Sequence, residues 1–238
     1  DEAGAGQAFL EAYGWSTAFV IFAFITLLMV PVAAAMRGRP EAATLAERPD
    51  EGLGKTVKLA FSNSGYRYLM AGFFVCGFHV MFIAAHLPAY LTDSGLSGRT
   101  AALALMFIGL FNVFGSYACG ALGGHYSKKD LLSLLYLARS VAILAFIVFP
   151  LTPVTVIIFA SAIGFLWLGT VPLTSGIVAQ MFGMRYLGTL FGLVFLSHQV
   201  GSFLGVWLGG FLFDATGDYT VVWWVAVVLG VIAALLHW

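Results

Sequence analysis

Apolar residues in this chain come in unbroken runs of about 20 to 25 residues, and seven such runs fill most of its length, at 15–36, 68–91, 100–124, 131–150, 154–175, 188–213 and 219–237. A helix rises 1.5 Å per residue, so each run can cross a hydrocarbon core of about 30 Å. The runs are apolar on all sides and rich in Leu, Ala, Phe and Gly. Transmembrane β-strands instead alternate apolar and polar residues in segments of about ten. In lipid a helix satisfies its own backbone, so the expected fold is an all-α integral membrane protein with seven transmembrane helices.

Composition agrees. Hydrophobic residues are 61% and charged residues 9% of the 238, with a mean hydropathy of +0.97, where a soluble domain carries roughly 25% charge. A soluble enzyme is excluded, and a net charge of zero points to no nucleic-acid partner. Cys76 and Cys119 both fall inside apolar runs and read as packing residues rather than a disulfide or metal pair. No cofactor is expected. The chain opens at Asp1 with small polar residues, not with a basic n-region and cleavage site, so no signal peptide is expected. It reads as a piece of a longer chain.

Basic residues give the runs a direction. Arg37, Arg39, Arg48, Lys55, Lys58 and Arg67 follow the first run, Lys128 and Lys129 follow the third, and Arg185 follows the fifth. The opposite joints hold only Arg99. The basic side is expected to be cytoplasmic, with the N-terminus outside and the C-terminus inside, in a bacterial inner membrane. Trp15, Tyr90, Tyr219, Trp223 and Trp224 fall near the outer boundaries, and Tyr66, Tyr68, Tyr126, Tyr186 and Trp238 near the inner ones, where amphipathic rings settle.

The joint at 37–67 is longer than the others, mixes acids with bases and contains Arg39-Pro40 and Arg48-Pro49. It reads as a cytoplasmic linker between two bundles, with Leu53 to Phe61 either a short amphipathic helix on the membrane surface or a solvated loop. A weak repeat agrees with this division. Glu11-Ala12-Tyr13-Gly14-Trp15 precedes the first run and Asp214-Ala215-Thr216-Gly217-Asp218-Tyr219 precedes the last. The first run is then the counterpart of the seventh in a preceding homologous half. Seven becomes one plus six: 1–36 ends an N-terminal bundle, 37–67 links, and 68–238 is a complete six-helix bundle.

That arrangement resembles the second half of a twelve-helix major facilitator superfamily transporter, helices six to twelve. Gly120-Ala121-Leu122-Gly123-Gly124-His125-Tyr126-Ser127-Lys128-Lys129 is similar to the superfamily's Gly-x-Leu-x-Asp-Arg-x-Gly-Arg-Lys loop, with Gly124 and His125 at the acid and Arg positions. Within the superfamily the chain resembles the monocarboxylate transporter branch at Leu87-Pro88-Ala89-Tyr90, Gly95-Leu96-Ser97, Ala101-Ala102-Leu103-Ala104-Leu105, Phe191-Gly192-Leu193-Val194 and the segment from Gly209 to Tyr219. It departs at Gly109-Leu110-Phe111-Asn112-Val113-Phe114-Gly115-Ser116, where that branch carries Gly-Phe-x-Asp-x-x-x-Arg. Asn112 stands for the Asp and Ser116 for the Arg that grip and couple a carboxylate there. The resemblance implies a secondary transporter of a small organic solute, working by alternating access between this bundle and a missing N-terminal one.

An ionisable residue inside a span costs at least about 2.5 kcal/mol on insertion scales and is a functional candidate by default. Arg139 is the only permanently charged one. It lies about 12 Å in from the inner side, and Asn112 about 18 Å in on the third run. Arg139 either reaches Asn112 and supplies the cation that Ser116 does not, binding an organic anion, or snorkels to the headgroups or pairs with backbone carbonyls. Arg139, Asn112, Ser116, Trp167 and His79 form the expected substrate site. His79 and His86, seven apart on one face, and His198 beside Gln199 are the candidates for proton coupling; each is alternatively a neutral His bonded to a neighbouring helix. The histidines lack metal-ligand spacing. Pro172 and Gly169, with Gly164 and Gly176, are expected to kink the fifth run as alternating access requires. Gly188/Gly192 and Gly201/Gly205/Gly209 are spaced for close helix contact.

Three other classes compete. A seven-helix receptor or photoreceptor fits the topology, although 219–237 lacks a Schiff-base Lys and no Asp-Arg-Tyr follows the third run. A membrane enzyme would need carboxylates or a His-Glu-x-x-His, and the spans hold neither. An efflux transporter of the same superfamily with a non-carboxylate substrate is the third. No P-loop occurs, which disfavours an ATP-driven pump.

Overall fold

The computed structural model describes residues 52–238 and part of 16–31. The chain divides into two units, Asp1–Glu47 and Arg48–Trp238. Described residues of the first unit are helical. The rest of the first run, the linker ahead of Gly52 and the motif from Glu11 to Trp15 lie outside the described residues.

The second unit is all helical: α1 (Leu53–Ser62), α2 (Ser64–Asp93), α3 (Gly98–His125), α4 (Lys128–Val148), α5 (Pro153–Phe165), α6 (Thr170–Phe182), α7 (Leu187–Thr216) and α8 (Thr220–Leu236). Five segments are long and apolar enough to cross a membrane, α5 and α6 counting together as one, and α8 is a shorter apolar helix. Local chemistry sets their ends. Asn63 Oδ1 accepts from the Tyr66 N–H, Ser97 Oγ from the Thr100 N–H, and Thr152 forms a capping box with Thr155 ahead of Pro153, each satisfying donors a helix start leaves open. The Asp214-to-Tyr219 motif closes α7 because Gly217 takes φ 78°, a left-handed cap.

Three helix pairs build the unit: α2 with α7, α3 with α5, and α4 with α8. Without a hydrophobic drive in lipid, close backbone approach decides such pairs. A Cβ at Gly77 would stand 1.9 Å from the His198 carbonyl oxygen, and one at Gly201 would stand 2.0 Å from that of Phe74. Gly205 and Gly209 are also closely faced, at 2.5 Å by the Phe78 carbonyl oxygen and at 2.6 Å by the His86 ring, so the expected contact stripe on α7 exists there. Gly188 and Gly192 face open space, so that part of the expected stripe makes no contact. Hydroxyls reinforce the pairs: Tyr66 and Ser197 donate across α2–α7 to the Leu190 and Met70 carbonyls, while Ser133 and Ser140 donate across α4–α8 to those of Ala234 and Val227.

Two apolar clusters fill the unit. One surrounds Trp223, where Phe146 and Phe159 stack with centroids 3.9 Å apart and Phe82 meets the indole edge-on at 4.8 Å. Trp223 is 1% exposed and belongs to this core rather than to a membrane interface, whereas Trp224 is 48% exposed. The other cluster gathers Tyr66, Leu69, Tyr136, Phe182 and Ala233. Trp167 and Leu229 pack against both.

The fifth run departs from expectation. A single helix over 154–175 kinked at Pro172 is replaced by two helices, with 166–169 non-helical and the second helix continuing to Phe182. Pro172 lies in the first turn of α6, where a missing N–H removes no helical bond. The interruption is at the preceding residues, of which Gly169 is one.

Candidate functional site

A helix broken inside a membrane strands carbonyls at the end of its first half and N–H groups at the start of its second, each costing several kcal/mol if left unpaired in hydrocarbon. At 166–169 two side chains from other helices answer these groups. Arg139, on α4, donates from Nη2 to the carbonyls of Leu166 and Trp167, at 2.5 and 2.9 Å. Asn112, on α3, accepts the Leu168 N–H at 3.1 Å through Oδ1. Local bonds complete the turn, from the Trp167 N–H to the Gly164 carbonyl and from the Val171 N–H to that of Leu168, each 3.0 Å.

The two strongest sequence candidates therefore meet at the same four residues from two different helices. The expected bridge between them is replaced by this shared hold on the break. Arg139 does not snorkel, being 1% exposed, with its guanidinium carbon 5.6 Å from the Tyr136 ring centroid. Acids in the described helices sit in terminal turns, at Asp93, Asp130 and Asp214, so no carboxylate among the described residues counters it inside the bundle. Its countercharge is the partial negative end of α5. Arg139 Nε and Nη1 are buried with no partner among the described residues.

Close packing fixes the break's position. A Cβ at Gly115 would stand 1.8 Å from the Phe165 carbonyl oxygen and one at Gly164 2.6 Å from that of Ile108, so α3 and α5 meet backbone to backbone just ahead of it. A Cβ at Gly169 would stand 2.5 Å from Cys119 Sγ. Ser116 donates to Asn112 Oδ1 at 3.2 Å, so the two residues that depart from the resemblance act as one unit. Trp167 contributes its carbonyl to the site and packs its ring between the two clusters.

Two contributors were not singled out from sequence. Cys76 Sγ lies 3.2 Å from Thr170 Oγ1 at the start of α6, and the Tyr136 hydroxyl is buried without a partner among the described residues. Neither carried a signal for this site: Cys76 sits in an apolar run and meets a residue 94 positions away, and Tyr136 is an aromatic in an apolar run, one turn before Arg139 on α4 with its ring beside the guanidinium.

The histidines separate. His79, 0% exposed, donates from Nε2 to the Ala226 carbonyl on α8 at 2.8 Å, and His86 donates to that of Val206 on α7 at 2.9 Å. They are tied to different helices despite their spacing. His198 bonds no backbone carbonyl; its Nδ1 is 3.2 Å from Gln199 Oε1 and 3.4 Å from Ser202 Oγ, and its buried Nε2 has no partner among the described residues. No group of His, Cys, Asp and Glu able to hold a metal occurs among the described residues. A groove of about 440 Å³ runs along α8, lined by Thr220, Val221, Trp224, Val225, Val228 and Leu229, and contains none of the candidate residues.

The profile of the Major Facilitator Superfamily matches residues 3–204. The chain is 26% identical over 206 residues to the uncharacterized MFS-type transporter YcxA of Bacillus subtilis (strain 168), covering 80% of this chain and 50% of that protein. It is 26% identical to monocarboxylate transporter 13 of Rattus norvegicus, covering 90% of this chain and 50% of the relative. It is 28% identical to monocarboxylate transporter 11 of Homo sapiens, over 90% of this chain and 47% of the relative. The chain spans about half the length of the curated relatives it matches.

Proposed function

We propose, since this chain belongs to the major facilitator superfamily, that it forms the second half of a secondary transporter that moves a small organic anion, a monocarboxylate first of all, by alternating access. The family is one of membrane transporters, so the receptor and membrane-enzyme readings fall. On this reading 1–36 ends a preceding bundle, 37–67 is a cytoplasmic linker, and 68–238 is the second bundle, set in a bacterial inner membrane with the C-terminus inside. The basic residues of the linker and of the joint at Lys128 and Lys129 support that orientation.

The observation that carries the anion assignment is Arg139. It is a buried cation, and among the described residues it has no carboxylate partner and two of its donors are unpartnered. The capping role occupies Nη2 and leaves Nε and Nη1 available to a ligand. A carboxylate fits their planar geometry. The names of the two monocarboxylate transporters support the same substrate class. Proton coupling belongs to the proposal, with His198 favoured over His79 and His86 because its ring alone is not committed to a carbonyl.

The test is uptake of lactate, pyruvate and larger organic anions by the full-length protein in proteoliposomes, with and without a pH gradient. Arg139→Lys is expected to lower uptake at least about tenfold, since an ammonium lacks the planar fork, and Arg139→Ala to abolish it. Undiminished uptake by both variants sinks the assignment.

A further inference from the structure

A carboxylate arriving at Arg139 meets a guanidinium that is already half committed. The group has five N–H donors in a fixed plane and two forks that match a carboxylate, Nη1 with Nη2 and Nε with Nη2. Both forks use Nη2. Here Nη2 already donates to the carbonyls of Leu166 and Trp167. The unpartnered donors, Nε and Nη1, flank it on either side. A carboxylate can therefore take one new bond without cost to the fold, but a two-point grip in either fork requires an Nη2 hydrogen now held by the break.

We propose that this exchange couples substrate binding to movement of α6, resting on the reading of Arg139 as the anion contact. The bonds to the Leu166 and Trp167 carbonyls carry charge on the donor alone, whereas a carboxylate adds the opposite charge and a two-point fork, so the anion wins the shared donor. Leu166 or Trp167 then loses the donor that closed the end of α5. The hold from the α4 side weakens while Asn112 keeps the Leu168 N–H from the α3 side. The break loosens, and α6 swings relative to α5 about the Asn112–Leu168 bond, drawing Gly169, which leads into α6, off Cys119.

Cys119 reports the opening, because Gly169 covers its sulfur closely enough that a Cβ there would stand at 2.5 Å. In the full-length protein with Cys76→Ser and Cys119 as the sole cysteine, the rate of N-ethylmaleimide labelling is measured in proteoliposomes with and without saturating lactate or pyruvate, alongside equilibrium binding of the radiolabelled acid. Loss of one hydrogen bond at the break is expected to speed labelling about tenfold when the acid is bound. Lactamide, the uncharged analogue of lactate, is expected to leave the rate unchanged. Arg139→Lys, which has no fork, is expected to bind the acid more weakly and to show no acceleration at saturation. Binding without acceleration in the parent protein overturns the exchange and leaves the anion reading standing. No binding of either acid overturns both. Acceleration that persists in Arg139→Lys, or that lactamide reproduces, also overturns the exchange.

Discussion

Asn112 and Leu168 are joined by one hydrogen bond, 3.1 Å from the backbone N–H of the second to the side-chain oxygen of the first, although 56 residues separate them. The bond satisfies a donor that no helix can satisfy, because Leu168 lies where α5 has ended and α6 has not begun. It follows that Asn112 is needed for its acceptor rather than for its amide. Asn112→Asp should keep most of the thermal stability in detergent. Asn112→Leu, which strands the N–H, should cost about 1–3 kcal/mol. Equal melting temperatures for the Leu variant and the parent would show that the bond carries nothing.

Glycine contacts give a sharper contrast. Gly115→Ala and Gly201→Ala place a methyl 1.8 Å and 2.0 Å from backbone oxygens of Phe165 and Phe74, which no side-chain rotation relieves. Both should separate their helix pairs and reduce the yield of monodisperse protein on size exclusion to a small fraction of the parent's. Gly192→Ala, with open space around it, should stay within roughly 0.5 kcal/mol of the parent or gain slightly from helix propensity. Similar behaviour of all three would refute the packing argument.

Two neighbouring tryptophans should behave oppositely. Trp223 is enclosed by Phe82, Tyr90, Phe146 and Phe159, so Trp223→Ala should cost about 3–5 kcal/mol. Trp224→Ala removes an exposed ring and should shift the unfolding midpoint by no more than roughly 0.5 kcal/mol. Thermal unfolding monitored by tryptophan fluorescence or circular dichroism separates them.

Among the histidines, only His198 leaves a buried ring nitrogen unpartnered without bonding a backbone carbonyl. His198→Gln should therefore remove the dependence of uptake on the proton gradient while leaving exchange at equal pH largely intact. His86→Gln keeps a donor for the Val206 carbonyl and should retain the gradient dependence. Gradient-driven uptake by His198→Gln at the parent rate would exclude it as the coupling group.

Much of this is legible in the sequence. The runs at 68–91, 100–124 and 131–150 became α2, α3 and α4 with boundaries a few residues wider or shifted, because a lipid-spanning helix must be long and apolar whatever it packs against. Gly217 ended α7 within the Asp-Ala-Thr-Gly motif for a local reason, its left-handed φ. Arg139 was marked by being a charge where charge is expensive. What it touches was not marked. Of the two residues expected to kink the fifth run, Gly169 lies in the break and Pro172 does not, since a proline in the first turn of a helix removes no bond, and the interruption is sustained by side chains on α3 and α4.

Fold class, spans and the identity of the unusual residues were thus determined by sequence alone, because bilayer thickness and the cost of buried charge act on each segment separately. Which helices pair, which glycines matter and where Arg139 and Asn112 send their hydrogen bonds were decided only in the tertiary structure. Those outcomes depend on backbone atoms of helices far apart in the chain, and a backbone carbonyl or N–H is the same group in every residue until a fold leaves one without a partner.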